Sequence, residues 1–267
     1  MIRDGGHYKV QVIYITRKKI GKVLLIFCLV LISVTYSINF RDSSIAVFLN
    51  TQRELPIYCV ERDDKKISIS FDAAWGTEYT DEILQILEER NIKCTFFLVG
   101  FWVDNHPDKV QLIAEKGHEI GNHSTNHPHM SKLGKEQIIK EIETTQKKIE
   151  ELAGDKAVKL FRPPYGDYNN TLINTCREMG FYPIQWDVDS LDWKELGVDH
   201  MYRQVTEKVK PGSIVLFHNN AKYITQALPT ILDKLLSEGY EFVPISELIY
   251  KDSYHIDHTG MQKKTDQ

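Results

Sequence analysis

The chain has 267 residues and a formal net charge of -4 at neutral pH, with no dominant acidic or basic block. That length carries one large core of roughly 200 residues plus a tail, and the missing basic footprint argues against nucleic acid as the main partner. The cysteines, Cys28, Cys59, Cys94 and Cys176, show no CxxC or other metal-like spacing. They imply no disulfide framework, although a Cys59 pairing stays open, and Cys94 and Cys176 read as small buried hydrophobes.

At the N-terminus, Arg17-Lys18-Lys19 and Lys22 precede an apolar run, Val23 to Ile38, interrupted by Ser33, Thr35 and Ser37. With Ile20 and Gly21 it approaches the roughly 20 residues that span hydrocarbon. Basic residues on its N-terminal side predict that this end stays in the cytoplasm. No small-x-small cleavage site follows, so an uncleaved signal anchor is favoured over a cleaved signal peptide or a buried soluble helix. The expected organisation is a cytoplasmic stretch (1–19), a transmembrane anchor (20–38), a linker (39–64) with an edge strand near Ile57–Val60, an α/β domain (65–250) and a polar C-terminal tail (251–267). The cytoplasmic membrane is then a partner, and the α/β domain lies outside a cell membrane that the chain crosses once.

From Lys65 onward strand and helix signals alternate. A short alternating strand, Ile67–Phe71, ends on Asp72 and turns at Gly76, before a helix over Thr80–Arg90 with a broad apolar face. An apolar strand, Thr95–Val99, precedes a helix, Pro107–Lys116, with Pro near N1 and Gly117 as its stop. A third strand, His118–Gly121, leads to a long helix, Lys135–Leu152. The fourth strand is Val158–Phe161, with a helix over Thr171–Met179; the fifth is Tyr182–Trp186, with a helix over Asp199–Val209. The sixth, Ile214–Phe217, is followed by a helix over Thr225–Leu236, a seventh strand at Tyr240–Val243 and a short helix capped at Ser246. Helices in nearly every gap favour parallel strands with helices outside. An open doubly wound sheet and a closed barrel both fit the count. Asp72, His123, Arg162, Asp187, Asp189 and His218 all fall at or just beyond strand C-termini, and contributions from so many strands suit a barrel, whose loops converge on one mouth.

Those positions carry the chemistry. Asp72 ends a strand just before a βα turn; alone, it reads equally as a turn or capping Asp. In Gly-Asn-His-Ser-Thr-Asn-His-Pro-His-Met, His123 and His127 are spaced so that one helical turn puts both rings on one face, a good pair for zinc or another first-row divalent ion. The alternative is a polar turn that binds nothing. Phe-Arg-Pro-Pro-Tyr-Gly (161–166) is a rigid turn in which Arg162 could orient Asp72 through a bidentate pair and backbone N–H near Tyr165 could face an oxyanion; a purely structural turn is the alternative. Trp-Asp-Val-Asp-Ser-Leu-Asp-Trp (186–193) interleaves carboxylates and indoles as a sugar-binding wall does, or as an acidic loop capped by core aromatics. His218 is a candidate general acid, kept protonated by a neighbouring carboxylate.

Taken in order, these stretches resemble the five motifs of the polysaccharide deacetylases, carbohydrate esterase family 4 or NodB-homology domain, across roughly Lys65 to Tyr250. The resemblance implies a distorted (β/α)7 barrel and hydrolysis of N-acetyl, sometimes O-acetyl, groups on glycans such as the N-acetylglucosamine of peptidoglycan or chitin, with cell-wall glycan as partner. It makes Asp72 the catalytic base, His123 and His127 ligands of a divalent ion (zinc foremost, cobalt or manganese by the same donors), and Arg162 the residue that holds Asp72. It makes Tyr165 the oxyanion-hole residue and His218 the general acid, tuned by Asp192 with Asp189 as runner-up. Trp75, Trp193 and Leu216 would line the groove. The short form with one N-terminal anchor also resembles deacetylases that spore-forming bacteria use on their cell wall. One position departs: where the family's first motif carries a second aspartate as metal ligand, this chain has Ala73. Two functions therefore stand, a metal-dependent deacetylase and a degenerate glycan-binding domain without turnover.

Overall fold

The computed structural model describes residues 17–40 and 53–265, and the chain divides into two compact units, Met1–Gln52 and Arg53–Gln267. The first unit holds one described helix, α1 (Arg17–Phe40). The expected single-pass anchor is corrected here: among the described residues no helix is long and apolar enough to cross a membrane. The uninterrupted apolar run of α1, Val23 to Ile32, spans roughly 15 Å at helical rise, half of the roughly 30 Å of bilayer hydrocarbon. Beyond it the hydroxyls of Ser33 and Thr35 bond back to helix carbonyls at Val30, Leu31 and Ile32. The transmembrane and signal-anchor assignment, the membrane as partner and the single-pass location fall with it. The expected stretch 1–19 and linker 39–64 lie in large part, at residues 1–16 and 41–52, outside the described residues.

The second unit opens with β1 (Cys59–Val60), then β2 (Lys66–Ala73), α2 (Thr80–Glu89), β3 (Thr95–Leu98), α3 (Gly100–Asn105), α4 (Pro107–Glu115) and β4 (Glu119–Asn122). Next come α5 (Lys135–Ala153), β5 (Ala157–Phe161), α6 (Asn170–Glu178), β6 (Tyr182–Pro183), β7 (Val188–Asp189), α7 (Val198–Thr206) and β8 (Ile214–His218). The chain finishes with α8 (Ile224–Ser237), β9 (Glu241–Phe242), α9 (Ile245–Leu248), β10 (Tyr254–Ile256) and β11 (Met261–Lys264). A small sheet in the order β1-β11-β10 joins the two ends of this unit.

The main sheet runs β6-β5-β4-β3-β2-β8-β7, with β9 also on β2, and its pairs are parallel. It is a curled, open half-barrel, consistent with the expected distorted barrel. Its edges, β6 and β7, are consecutive in the chain but not paired. Of the stretch expected as one strand, Tyr182–Trp186, Tyr182 and Pro183 pair with β5, and the Ile184 N–H still donates to the Phe161 carbonyl at 2.8 Å. Ile57 fills the gap, bridging Ile184 and accepting from the Gln185 N–H at 2.7 Å.

Alternation along β2 decides what faces where. Ile67, Ile69, Phe71 and Ala73 belong to the main apolar cluster with residues of the flanking helices. Phe71 stacks on Phe96 of β3 at 5.1 Å and on Phe217 of β8 at 5.6 Å. Each such fully buried ring contributes roughly 1.5–3 kcal/mol. Ser68, Ser70 and Asp72 take the opposite, interior face, all buried. Parallel register then aligns the strand ends: Asp72 lies beside His218 across β2–β8, and Leu98 beside Asn122, the residue before His123, across β3–β4.

Candidate active site

The aligned C-terminal ends open into one cleft of about 1000 Å³, lined by Asp72, His123, His127, Tyr165, Asp192 and His218 among others. Its base side is a buried ion pair. Arg162, fully buried, donates from Nη1 to Asp72 Oδ1 and to Ser70 Oγ, both at 2.8 Å, and from Nη2 to the Gln185 carbonyl at 3.2 Å. Its guanidinium lies over the Phe97 ring at 4.1 Å. The contact with Asp72 uses one oxygen, not the bidentate geometry anticipated: Ser70 shares Nη1, Gln185 takes Nη2, and the buried Nε–H has no partner among the described residues. Burial pushes the Asp72 carboxyl upward, but Arg162, His123 and His218 outweigh it and hold the group below the usual carboxylate range.

The acid side is a second pair. Asp192 accepts from His218 Nδ1 through Oδ1 and from the His218 backbone N–H through Oδ2, each at 2.7 Å. A carboxylate on Nδ1 fixes that nitrogen as the donor and leaves Nε2 for chemistry. Burial pushes the imidazolium down, yet the hydrogen bond and charge of Asp192 prevail, so His218 titrates above its ordinary value. Asp189 does not make this contact; its Oδ1 caps the Leu191 N–H at 2.8 Å.

His123 and His127 come together, ring centroids 4.9 Å apart and edge-on. A loop, not a helical turn, brings them there: Ser124 and His127 hold positive φ of 69° and 54°. Its organiser is Glu141 of α5, which sequence reasoning missed. Glu141 Oε2 accepts from the N–H groups of Thr125 and Asn126 at 2.9 and 2.8 Å, and Oε1 from Asn126 Nδ2 at 2.7 Å. On a charged helix face nothing distinguishes Glu141 from its solvated neighbours. His123 Nδ1 donates to the Arg162 carbonyl at 2.6 Å, so Nε2 carries the lone pair, 3.5 Å from Asp72 Oδ2. Burial lowers the pKa of both rings, that of His127 to about 4, which keeps them neutral and able to ligate.

The donors suit a borderline divalent ion, since both are neutral imidazoles. They stop at two: among the described residues no group of three or more His, Cys, Asp or Glu side chains is placed to hold a metal ion. Ala73 offers only a methyl group and is fully buried in the apolar cluster. Tyr165 reaches the cleft with φ of 59°, uncommon for a residue with a Cβ. Trp75 and Trp193 line the cleft and are exposed, whereas Leu216 lines it buried.

The polysaccharide deacetylase family profile matches residues 60–184. The chain is 35% identical over 195 residues to a peptidoglycan-N-acetylglucosamine deacetylase of Bacillus cereus, covering 71% of this chain and 91% of that one. It is 33% identical to the uncharacterized protein YlxY of Bacillus subtilis, a match covering 76% of this chain but only 63% of the other. Among solved structures it resembles BA3943 of Bacillus anthracis, described as a pseudoenzyme of carbohydrate esterase family 4, with TM-score 0.70 and 34% identity over 73% of this chain and 69% of that one. A mutant of that protein, described as having restored enzymatic activity, matches equally with TM-score 0.70.

Proposed function

From the premise that this chain belongs to the polysaccharide deacetylase family, hydrolases of amide C–N bonds, we propose that its cleft removes N-acetyl groups from N-acetylglucosamine units of a glycan such as peptidoglycan. The observation that carries this is the pair of dyads across one cleft: Asp72, whose pKa Arg162 lowers, and His218, whose pKa Asp192 raises. Two groups whose surroundings push their pKa values apart are matched to base and acid roles. His123 and His127 would hold a divalent ion, zinc foremost, which would polarise the acetyl carbonyl and the attacking water. Asp72 takes the proton of that water as its oxygen bonds to the acetyl carbon. The Tyr165 backbone N–H faces the oxygen that becomes negative. His218 gives its Nε2 proton to the amide nitrogen, the C–N bond breaks, and acetate and a free amine leave. Trp75 and Trp193 supply faces for sugar rings, and Leu216 an apolar wall for the acetyl methyl.

Ala73 favours a second reading, a cleft that binds glycan without turnover, and the similarity to a protein described as a pseudoenzyme supports it. Acetate release from N-acetylglucosamine oligomers and from peptidoglycan, measured with metal content, separates the two. Wild type is expected to release acetate slowly, with activity lost to a chelator and regained on adding metal. Asp72→Ala and His218→Ala should each lower turnover by roughly 10²–10⁴-fold with metal content unchanged. If wild type binds glycan but releases no acetate at any metal concentration, the second reading replaces the first.

A further inference from the structure

The two imidazoles of the proposed metal pair are held by different means. His123 is oriented as ligating histidines usually are, with its second nitrogen donating to a carbonyl, that of Arg162. His127 lacks this. Its Nδ1 is buried with no hydrogen-bond partner among the described residues. Its backbone N–H is taken by Ser124 Oγ at 3.0 Å, which fixes the main chain but not the ring torsions.

Aromatic rings constrain this side chain instead. Trp75 packs edge-on to His127 at 5.2 Å and 71°, and Tyr165 at 4.5 Å and 69°. Both neighbours are anchored. Trp75 contacts Phe101 at 6.2 Å, and the residue after it is clamped: the Gly76 carbonyl accepts from Trp102 Nε1 and Asn219 Nδ2, each at 2.8 Å. Tyr165 stacks on His129 at 4.5 Å and 24°. A side chain 57% exposed has little to do for the core, so the contact of Trp75 with His127 is not explained by burial.

We propose that Trp75 is a positioning residue for His127: its indole, together with the Tyr165 ring, holds the imidazole in the orientation in which it ligates the ion, replacing the hydrogen bond that orients His123. This rests on the metal-binding reading above. With two protein ligands, misorienting one removes a large share of the site's affinity. Loss of an orienting partner typically weakens metal binding by about 10–100-fold.

The test is titration of the metal-free full chain with cobalt(II), followed by visible absorption and by competition with a chelator. Trp75→Ala is expected to bind cobalt about 10–100-fold more weakly than wild type, with an altered ligand-field spectrum and an unchanged thermal midpoint without metal. Trp75→Phe, which keeps a ring at that place, should recover most of the affinity and the spectrum. Equal affinity and spectra in wild type and Trp75→Ala overturn the role of Trp75 and leave it a groove residue only. If wild type takes up no cobalt, the metal-binding reading itself fails and this proposal with it.

Discussion

Asp192 sets both the place and the charge of His218, because its two oxygens bond the side chain and the main chain of the same residue. The carboxylate stabilises imidazolium over imidazole, so the acid form of His218 persists to higher pH than that of a free histidine. Asp72, held low by Arg162, stays a competent base well into the acid range. The kcat/KM profile is therefore expected to be bell-shaped, with the acid limb set by Asp72 and the alkaline limb by His218. Asp192→Asn keeps the shape but removes the charge. It should move the alkaline limb to lower pH and leave the acid limb nearly in place. A pH-rate profile of the two proteins checks this, and an unmoved alkaline limb would assign that limb to another group. The sequence brought both Asp192 and Asp189 within reach of this role. Only the three-dimensional path of the loop separates them, with Leu191 in the left-handed region and Asp189 spent on its N–H.

Strand ends place the chemistry, while the helix behind them holds the loop that carries two of its groups. Glu141 of α5 satisfies two backbone N–H groups and one side-chain amide between His123 and His127. Glu141→Ala leaves those backbone donors without their acceptor, a loss of about 1–3 kcal/mol. In a domain of this size the thermal midpoint should fall by about 2–4 °C per kcal/mol, and divalent-ion binding should weaken with it; calorimetry with and without metal reads both. At this scale the long elements were legible. β2, α2 and α5 follow from alternation or a 3.6-residue apolar period, β3 from a continuous apolar run, and the structure gives them nearly the expected bounds. The short helix Gly100–Asn105 has too few turns to show a period, and Val188–Asp189 too few residues to alternate. The His123–His127 spacing read as a helical turn, but positive φ at Ser124 and His127 breaks any helix there while still bringing the rings together. Along α1 the polar residues interrupt the apolar run, and among the described residues no helix is long and apolar enough for the expected membrane span.

At the scale of the whole domain, the open sheet leaves β6 and β7 unpaired with each other, and Arg162 reaches across the interior to tie distant strands together. From the end of β5 it holds Ser70 and Asp72 on β2 and the Gln185 carbonyl beyond β6, with Phe97 of β3 under its guanidinium. Breaking such a buried pair from one side strands the other charge. Arg162→Met keeps much of the volume over Phe97 and removes the charge, so at neutral pH it should cost about 3–5 kcal/mol. The sign of the pH dependence follows from Asp72. In wild type its folded pKa is depressed, so the pair contributes stability above the unfolded carboxyl's value and loses it as pH falls through the folded one. In the variant the largest counter-charge is gone and burial raises that pKa, and the penalty at neutral pH is relieved as the carboxyl takes up a proton. The stability gap between the two proteins should thus be widest near neutral pH and narrow toward acid, as denaturant unfolding at the two extremes would read. A gap of the same size at both would place the cost in lost packing on Phe97, not in the stranded charge of Asp72.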